Sequence, residues 1–339
     1  MSTSKHIILP AEWAEQEFVQ LILPHEDTDW YSTLDEVNKC YAHIALEISK
    51  RQKLLVVCNE QKSARNLLKN CNLQNITFAE LPCNDTWARD TAAITVLEDN
   101  RPTLLDFTFN GWGLKFAANL DNLITNSLYK NGYFPEKFHY KDCRNFVLEG
   151  GSIESDGQGS ILTTTKCLLS ENRNYLSKSE IEEKLKAYFG AKRILWLEHG
   201  YLAGDDTDSH IDTLARFCDD NTIAYVSCTD KNDEHFEELK AMENELKQFR
   251  TAAGAPYKLV ALPMTDTIID TDCRLPATYA NFLIINGAVL LPTYDVPQDD
   301  VAAQILQTAF PDREIVKINC VPLIRQHGSL HCVTMQFPR

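Results

Sequence analysis

Phe282-Leu283-Ile284-Ile285-Asn286-Gly287-Ala288-Val289-Leu290-Leu291 is two short apolar runs joined by a dipeptide that suits a type I′ turn, so it reads as a β-hairpin. A helical pattern follows at residues 299–308 and another β-branched run at 314–318. The same alternation extends back along the chain. Asp156-Gly157-Gln158-Gly159 separates 150–154 from 160–163 as a second hairpin signal. Further strand candidates are 53–58, 93–97, 104–109, 145–149, 193–197, 222–226, 258–261 and 330–335. Helix candidates are 32–50, 61–69, 119–130, 178–189 and 233–249. The elements come as strand pairs plus a helix, repeated several times, which is an α/β pattern. No stretch looks like an interdomain linker and no sequence-level repeat is evident, so residues 1–339 are expected to form one domain.

Composition narrows the function classes. Hydrophobic residues make up 44% and charged residues 24%, ordinary values for a globular protein with a proper core. The formal net charge of −15, from 33 basic and 48 acidic residues, argues against a nucleic-acid partner, because phosphate binding relies on Lys/Arg clusters. A negative surface favours a cationic ligand, though it also serves plain solubility. Eleven cysteines without a CxxC pair, and an N-terminus whose only apolar run is Ile7-Ile8-Leu9, indicate a reducing, cytoplasmic setting. The longest apolar stretch, 282–291, is interrupted by Asn286-Gly287, so no membrane span is expected.

Several catalytic families are excluded by their missing motifs. The chain has no GxSxG elbow, no GxxxxGK[ST] loop, no GxGxxG after a strand and no zinc-deaminase pattern. The acids Asp205, Asp206, Asp208 and Asp212 lack the Gly and Glu that a calcium loop needs, so no metal site is assigned.

Four segments remain. In Gln326-His327-Gly328-Ser329-Leu330-His331-Cys332, a Gly-Ser loop leads into a strand expected to begin at His331-Cys332. That would set a sulfur at an element end, near free N–H groups that stabilise a thiolate; the plain alternative is a buried structural cysteine. In Gly204-Asp205-Asp206-Thr207-Asp208-Ser209-His210-Ile211-Asp212, His210 and Asp212 would face one side of an extended segment. The flanking carboxylates would raise the histidine's pKa; the alternative is a solvated loop capping a helix at 211–217. In Asn84-Asp85-Thr86-Trp87-Ala88-Arg89-Asp90, Trp87 and Asp90 offer a ring face and a carboxylate that suit a planar cation; the alternative is a surface Arg89–Asp90 ion pair. Glu149-Gly150-Gly151 ends a strand with two glycines, where another backbone or a ligand can approach closely. Phe109-Asn110-Gly111-Trp112-Gly113 adds an aromatic in a Gly-flexed loop.

Taken in this order, residues 84–90, 109–115, 148–152, 206–212 and 328–332 resemble the agmatine deiminase family of the guanidine-modifying superfamily. Pro10-Ala11-Glu12-Trp13 is similar to that family's opening. The resemblance implies the pentein fold, a five-bladed pseudo-symmetric α/β propeller. It implies that Cys332 is the nucleophile, His210 the general acid/base, and Glu149 the glutamate that pairs with the histidine and the guanidinium. Asp90 and Asp212 would grip the guanidinium nitrogens. Trp87 and Trp112 would line the substrate tunnel, and Asp206, with Asp85 and Asp208 nearby, would lie toward the far amine of agmatine. Thr91-Ala92-Ala93 departs from the Gly-Pro step of many members, and Ser209 replaces a more usual Gly.

This chemistry suits these residue types. A guanidinium stays cationic, with a pKa above about 12, and its resonance makes a poor electrophile. Paired carboxylates fix its plane and offset its charge, and a thiolate can then attack the carbon. The expected reaction converts agmatine to N-carbamoylputrescine and ammonia through a covalent amidino-cysteine, with no cofactor. The partner is a small cationic guanidino substrate, not nucleic acid or membrane; a homo-oligomer is left open by the sequence. Free arginine or peptidylarginine are the alternative substrates, and a non-catalytic pentein-fold binding protein is the alternative class.

Overall fold

The computed structural model describes residues 6–339; residues 1–5, the start of the stretch read as lacking an apolar signal core, lie outside them. Five of its sheets share one construction: an antiparallel strand pair, a crossover helix, and a strand that joins in parallel. The unit first appears as Ile94–Glu98 with Arg101–Thr108, then helix Asp121–Lys130, then parallel strand His139–Val147. It recurs as Ile153–Ser155 with Ser160–Thr164, helix Lys178–Phe189 and strand Arg193–Leu197. The third copy is Ala215–Asp219 with Thr222–Ser227, helix Phe236–Gln248 and strand Lys258–Pro263. The fourth is Leu283–Ile285 with Ala288–Thr293, helix Gln298–Ala309 and strand Glu314–Asn319. The last is assembled from both ends of the chain. Thr334–Pro338 pairs antiparallel with Gln16–Ile22, which continues through helix Leu34–Ser49 to the parallel strand Lys53–Cys58 and on to Ile76–Glu80.

Local chemistry explains these elements. Leu34–Ser49 buries Val37, Tyr41, Ile44 and Ile48, a stripe at helical spacing, against the sheet side of the core. Each such side chain contributes about 1.5–3 kcal/mol on burial, and Ile44→Ala would cost about 2–5 kcal/mol. Lys178–Phe189 begins with a reciprocal capping box between Ser177 and Glu180 and stops at left-handed Gly190. Ser160–Thr164 and Ala288–Thr293 are buried along their whole length, as expected of strands covered on both faces. Among the described residues, no helix is long and apolar enough to cross a membrane.

Three sequence expectations change. The Asn286-Gly287 hairpin forms, with Ile285 opposite Ala288, but only Gly287 of the two has positive φ, so the turn is not type I′. Asn286 is instead used as a clamp: its side chain accepts from the Gln16 N–H at 3.1 Å and donates to the Gln16 carbonyl at 2.9 Å. The C-terminal strand starts at Thr334, so His331 and Cys332 lie in the turn that precedes it. His210 caps, and Asp212 lies within, a 3-10 turn at Ile211–Thr213 that runs into strand Ala215–Asp219. Neither an extended segment nor a helix at 211–217 forms there.

The repeated unit decides where function can sit. In each copy, the segment just before the first strand of the antiparallel pair is short and irregular. Those five segments carry Asp90, then Glu149 to Gly151, then His210 to Asp212, then Asn281, then His331-Cys332.

Candidate active site

These segments meet around Gly151. A Cβ at that position would lie 2.6 Å from His210 Nδ1 and 3.0 Å from both Asp212 Oδ2 and Asp90 Oδ1. A Cβ has no room there, so only glycine lets the Glu149–Ser152 segment pack directly against His210, Asp212 and Asp90. The Gly151 N–H donates to Asp90 Oδ1 at 2.9 Å, and the Trp112 indole donates to Asp90 Oδ2 at 2.9 Å. Asp90 is therefore fixed from two sides. Burial, and then the charge of Glu149, push its carboxyl up to about 7.

Asp212 is fully buried; its Oδ2 meets His331 Nδ1 at 2.7 Å, while its Oδ1 has no partner. Burial and the neighbouring Asp90 hold its carboxyl well above the usual range. His210 lies 3.8 Å from Asp90 Oδ1, and neither of its ring nitrogens has a hydrogen-bond partner. Burial, with the Arg173 and Lys115 charges, holds it well below an ordinary histidine, so it rests neutral. Buried polar atoms without partners cost stability, and three of them on the neighbouring residues His210 and Asp212 mark a place arranged for a ligand's donors and acceptors.

Cys332 is buried, with Sγ 3.4 Å from Asn281 Oδ1 and 3.9 Å from Asp212 Oδ2. Burial, then the charges of Asp212 and Asp90, raise its pKa well above an ordinary thiol, so Cys332 rests as a thiol. An incoming cation would oppose the shifts of Asp90, Asp212 and Cys332 together, since it stabilises the thiolate and both carboxylates, and it would keep His210 neutral.

Glu149 is fully buried, and both of its oxygens accept from Arg173 Nε, at 3.0 and 3.1 Å. The sequence reading paired Glu149 with His210. A Glu149 oxygen, a His210 ring nitrogen and Cys167 Sγ do lie within 4.8 Å of one another, but no Glu149–His210 hydrogen bond forms. Arg173 also donates to Asp208 Oδ2 at 2.7 Å and to the Thr207 carbonyl at 2.9 Å, tying the Glu149 segment to the His210 segment.

Above Cys332 opens a cavity of roughly 680 Å³, measured out to its mouth, walled by Trp87, Trp112 and Phe116. The two indoles stand edge to face, with ring centroids 6.0 Å apart. Gly328 packs flat on Trp87, where a Cβ would come within 2.0 Å of the ring. Asp29, Asp85 and Asp206 line the outer part. Asp85 is consumed by structure, accepting from the Trp30 and Trp87 indoles at 2.9 and 2.8 Å. Asp208 does not line the cavity, and its carboxylate is held by Arg173 and by Lys115 at 2.8 Å. Among the described residues lining this cavity there is no Lys or Arg.

The chain matches the family model of the Porphyromonas-type peptidyl-arginine deiminases over residues 8–338. It belongs to that family. A Porphyromonas gingivalis protein provisionally assigned as an arginine deiminase has a crystal structure that superposes on this deiminase-family chain with a TM-score of 0.95. The identity is 53%, covering 98% of this chain and 99% of that one. A cysteine-to-serine variant of the C. jejuni agmatine deiminase, with substrate bound, superposes with a TM-score of 0.93 at 41% identity, covering 100% and 98%. A Legionella pneumophila protein provisionally named agmatine deiminase is 33% identical over 98% of this chain and 94% of its own length.

The structure thus brings together Asp90, His210, Asp212 and Cys332, with Glu149 behind them and Trp87, Trp112 and Asp206 along the cavity. Sequence reasoning missed Arg173, Asn281, His331 and Asp29. Arg173 sits in a polar Glu-Asn-Arg-Asn loop that reads as solvated, and Asn281 in the apolar approach to a strand. His331 was quoted only as a neighbour of Cys332. A role for it could have been sought from its adjacency alone.

Proposed function

We propose that this chain is an agmatine deiminase, hydrolysing agmatine to N-carbamoylputrescine and ammonia. One observation carries the reading. A cavity with aromatic walls and no lining cation ends at Cys332 and Asp90, below which the open Asp212 Oδ1 and the unpartnered His210 await donors. The two carboxylates receive the guanidinium, the indoles flank the methylene chain, and Asp206 and Asp29 face the distal ammonium. The similarity to a C. jejuni agmatine deiminase with substrate bound supports the same reading.

In the mechanism, the thiol proton passes from Cys332 to His210 as Sγ bonds to the guanidino carbon. His210 then gives that proton to one amino group, the C–N bond breaks and ammonia leaves. The amidino-cysteine that remains is cationic and still gripped by Asp90 and Asp212. His210, neutral again, takes a proton from water as the hydroxide adds to the same carbon. The C–S bond then breaks, the leaving sulfur takes the proton back from His210, and the product's hydroxyl proton ends on the released ammonia as ammonium. The ureido product is neutral, so the carboxylates lose their partner and release it.

The family's description keeps peptidyl-arginine as the second reading, and the P. gingivalis relative keeps free arginine. A free amino acid would bring a carboxylate against Asp206 and Asp29, which disfavours it. We read the five repeated sheets as blades of a five-bladed pentein propeller and residues 1–339 as one catalytic domain. The eleven cysteines are all free, which fits a cytoplasmic protein. The test is ammonia and ureido release from agmatine, arginine and a blocked arginyl peptide, side by side, with Cys332→Ala as control. Preference for agmatine supports the reading, and preference for either alternative replaces it.

A further inference from the structure

His331 is a buried imidazole with a carboxylate on each side. Its Nδ1 is 2.7 Å from Asp212 Oδ2 and its Nε2 is 2.7 Å from Glu12 Oε2. A nitrogen and an oxygen this close need a proton between them, so the Asp212–His331–Glu12 chain holds two protons. Glu12 is anchored on the far side: the same Oε2 accepts from Arg216 Nη2 at 2.8 Å, and Oε1 accepts from the Ile284 N–H at 2.7 Å. Arg216 in turn binds Glu154 and the Phe282 carbonyl. The N-terminal Pro10-Ala11-Glu12-Trp13 stretch is thereby tied to the residue beside Cys332, across 319 positions of sequence.

We propose that His331 is a positioning residue that, clamped between Glu12 and Asp212, stores a proton and presents Asp212 to the guanidinium as a carboxylate. The inference rests on the deiminase reading of the site. Asp90 and the Cys332 sulfur face Asp212, and Arg89 offsets a second full negative charge there only in part. The proton between Asp212 and His331 then belongs to Asp212 Oδ2. A bound guanidinium donates to the free Oδ1 and favours the ionised carboxylate. The Oδ2–H bond breaks, an Nδ1–H bond forms across 2.7 Å, and the resulting imidazolium is neutralised by Glu12. No proton enters or leaves.

The charged groups facing His331 fit this division. Asp212 comes from Ile211–Thr213, Glu12 from the N-terminal loop, Arg216 from Ala215–Asp219, and Arg89 from Ala88–Thr91, with His210 and Cys332 further along the site. Burial, then the Arg216 and Arg89 charges, hold His331 well below an ordinary histidine before substrate arrives. Burial opposes ionisation of Glu12, but Arg216 and His331 prevail and hold its carboxyl well below the usual range. Glu12 is thus the standing anion of the chain.

The experiment is nitrogen NMR of the full chain carrying Cys332→Ala, labelled with 15N-histidine and titrated with agmatine. The nine histidines are resolved by comparison with His331→Gln. The His331 Nδ1 resonance is expected to move from an unprotonated to a protonated position on saturation, while Nε2 stays protonated throughout. Adding Glu12→Gln should block that movement and weaken agmatine binding by about 10-fold or more. An Nδ1 that is unchanged at saturation, or already protonated beforehand, overturns the proposal, and this arm needs no change to the relay itself. Calorimetry on the same sample reads binding separately. If agmatine neither binds there nor is turned over by the unaltered protein, the deiminase reading fails and this proposal falls with it.

Discussion

Arg173 Nε donates to both carboxylate oxygens of Glu149, at 3.0 and 3.1 Å, and neither side chain is exposed to solvent. Glu149 is thereby fixed as an anion below the point where Asp90, Asp212 and His210 converge. Arg173→Met would leave that anion buried without its cation and also free Asp208. Its loss should destabilise the protein by about 3–5 kcal/mol, as breaking a buried pair does. The denaturant midpoint of Arg173→Met measures this directly. Arg173→Lys keeps the charge but cannot serve Glu149, Asp208 and the Thr207 carbonyl together, and should recover only part of the loss.

Asp90 sets an acid limb. Its carboxyl is raised to about 7, so protonation below that point removes one of the two anions that would receive the cation. The kcat/KM for agmatine should rise with pH through the region around 7 and fall about tenfold per unit below it. The effect on folding has the matching sign. A carboxyl whose folded pKa is raised above its unfolded value contributes stability at low pH, and that contribution is lost as pH rises through the window up to about 7. Agmatine should therefore raise the Tm of Cys332→Ala more at pH 8 than at pH 6. Equal shifts at both would remove Asp90 from the account.

Gly151→Ala separates function from fold. The backbone there is not in the left-handed region, yet the new methyl would stand 2.6 Å from His210 Nδ1. A displacement of the histidine or of the substrate by about 1 Å can cost about 100-fold in rate. The expected outcome is a kcat/KM lower by about that factor, with a circular dichroism spectrum and melting cooperativity like the parent's.

The repeated strand-pair-and-helix pattern was readable because it depends on local rules. The period of apolar residues, the Gly-rich turn at Asp156–Gly159 and the capping box at Ser177 each act within a few residues. The helix at Lys178–Phe189 matches its expected bounds. The strand Gln16–Ile22 went unseen, because its partner Thr334–Pro338 lies at the other end of the chain and its own pattern, with Gln16, Glu17 and Gln20, mixes polar with apolar. At the site, Cys332, His210, Asp90 and Asp212 were legible as reactive side chains in short quoted motifs. What joins them was not. Arg173, Asn281 and Glu12 act through contacts 24, 51 and 319 residues away, and nothing local marks such a residue. Asp208 shows the converse: it sits in the right motif, but a left-handed backbone and two cations turn it to a structural task.

On the proposed reading, the outer carboxylates are expected to tune substrate choice. Asp206 lines the cavity mouth, where only its backbone carbonyl is engaged, by Lys115 Nζ at 2.6 Å. On the proposed reading its carboxylate would meet the distal ammonium of agmatine, in a partly solvated setting where one ionic contact is worth about 1 kcal/mol. Asp206→Asn should raise the KM for agmatine about 5-fold with little change in kcat, and Asp29→Asn should add to it. The same substitutions should narrow the gap between agmatine and arginine.

Attack of Cys332 on the guanidino carbon would leave a covalent amidino-cysteine, which the mass of the intact protein can reveal. Enzyme turning over agmatine is quenched with acid and weighed, and the modified peptide is located. The expected result is a population heavier by agmatine less ammonia, with the added mass on the peptide that carries Cys332 and absent from Cys332→Ala. Rapid ammonia release with the mass unchanged in steady state, and undiminished turnover by Cys332→Ala, would contradict it.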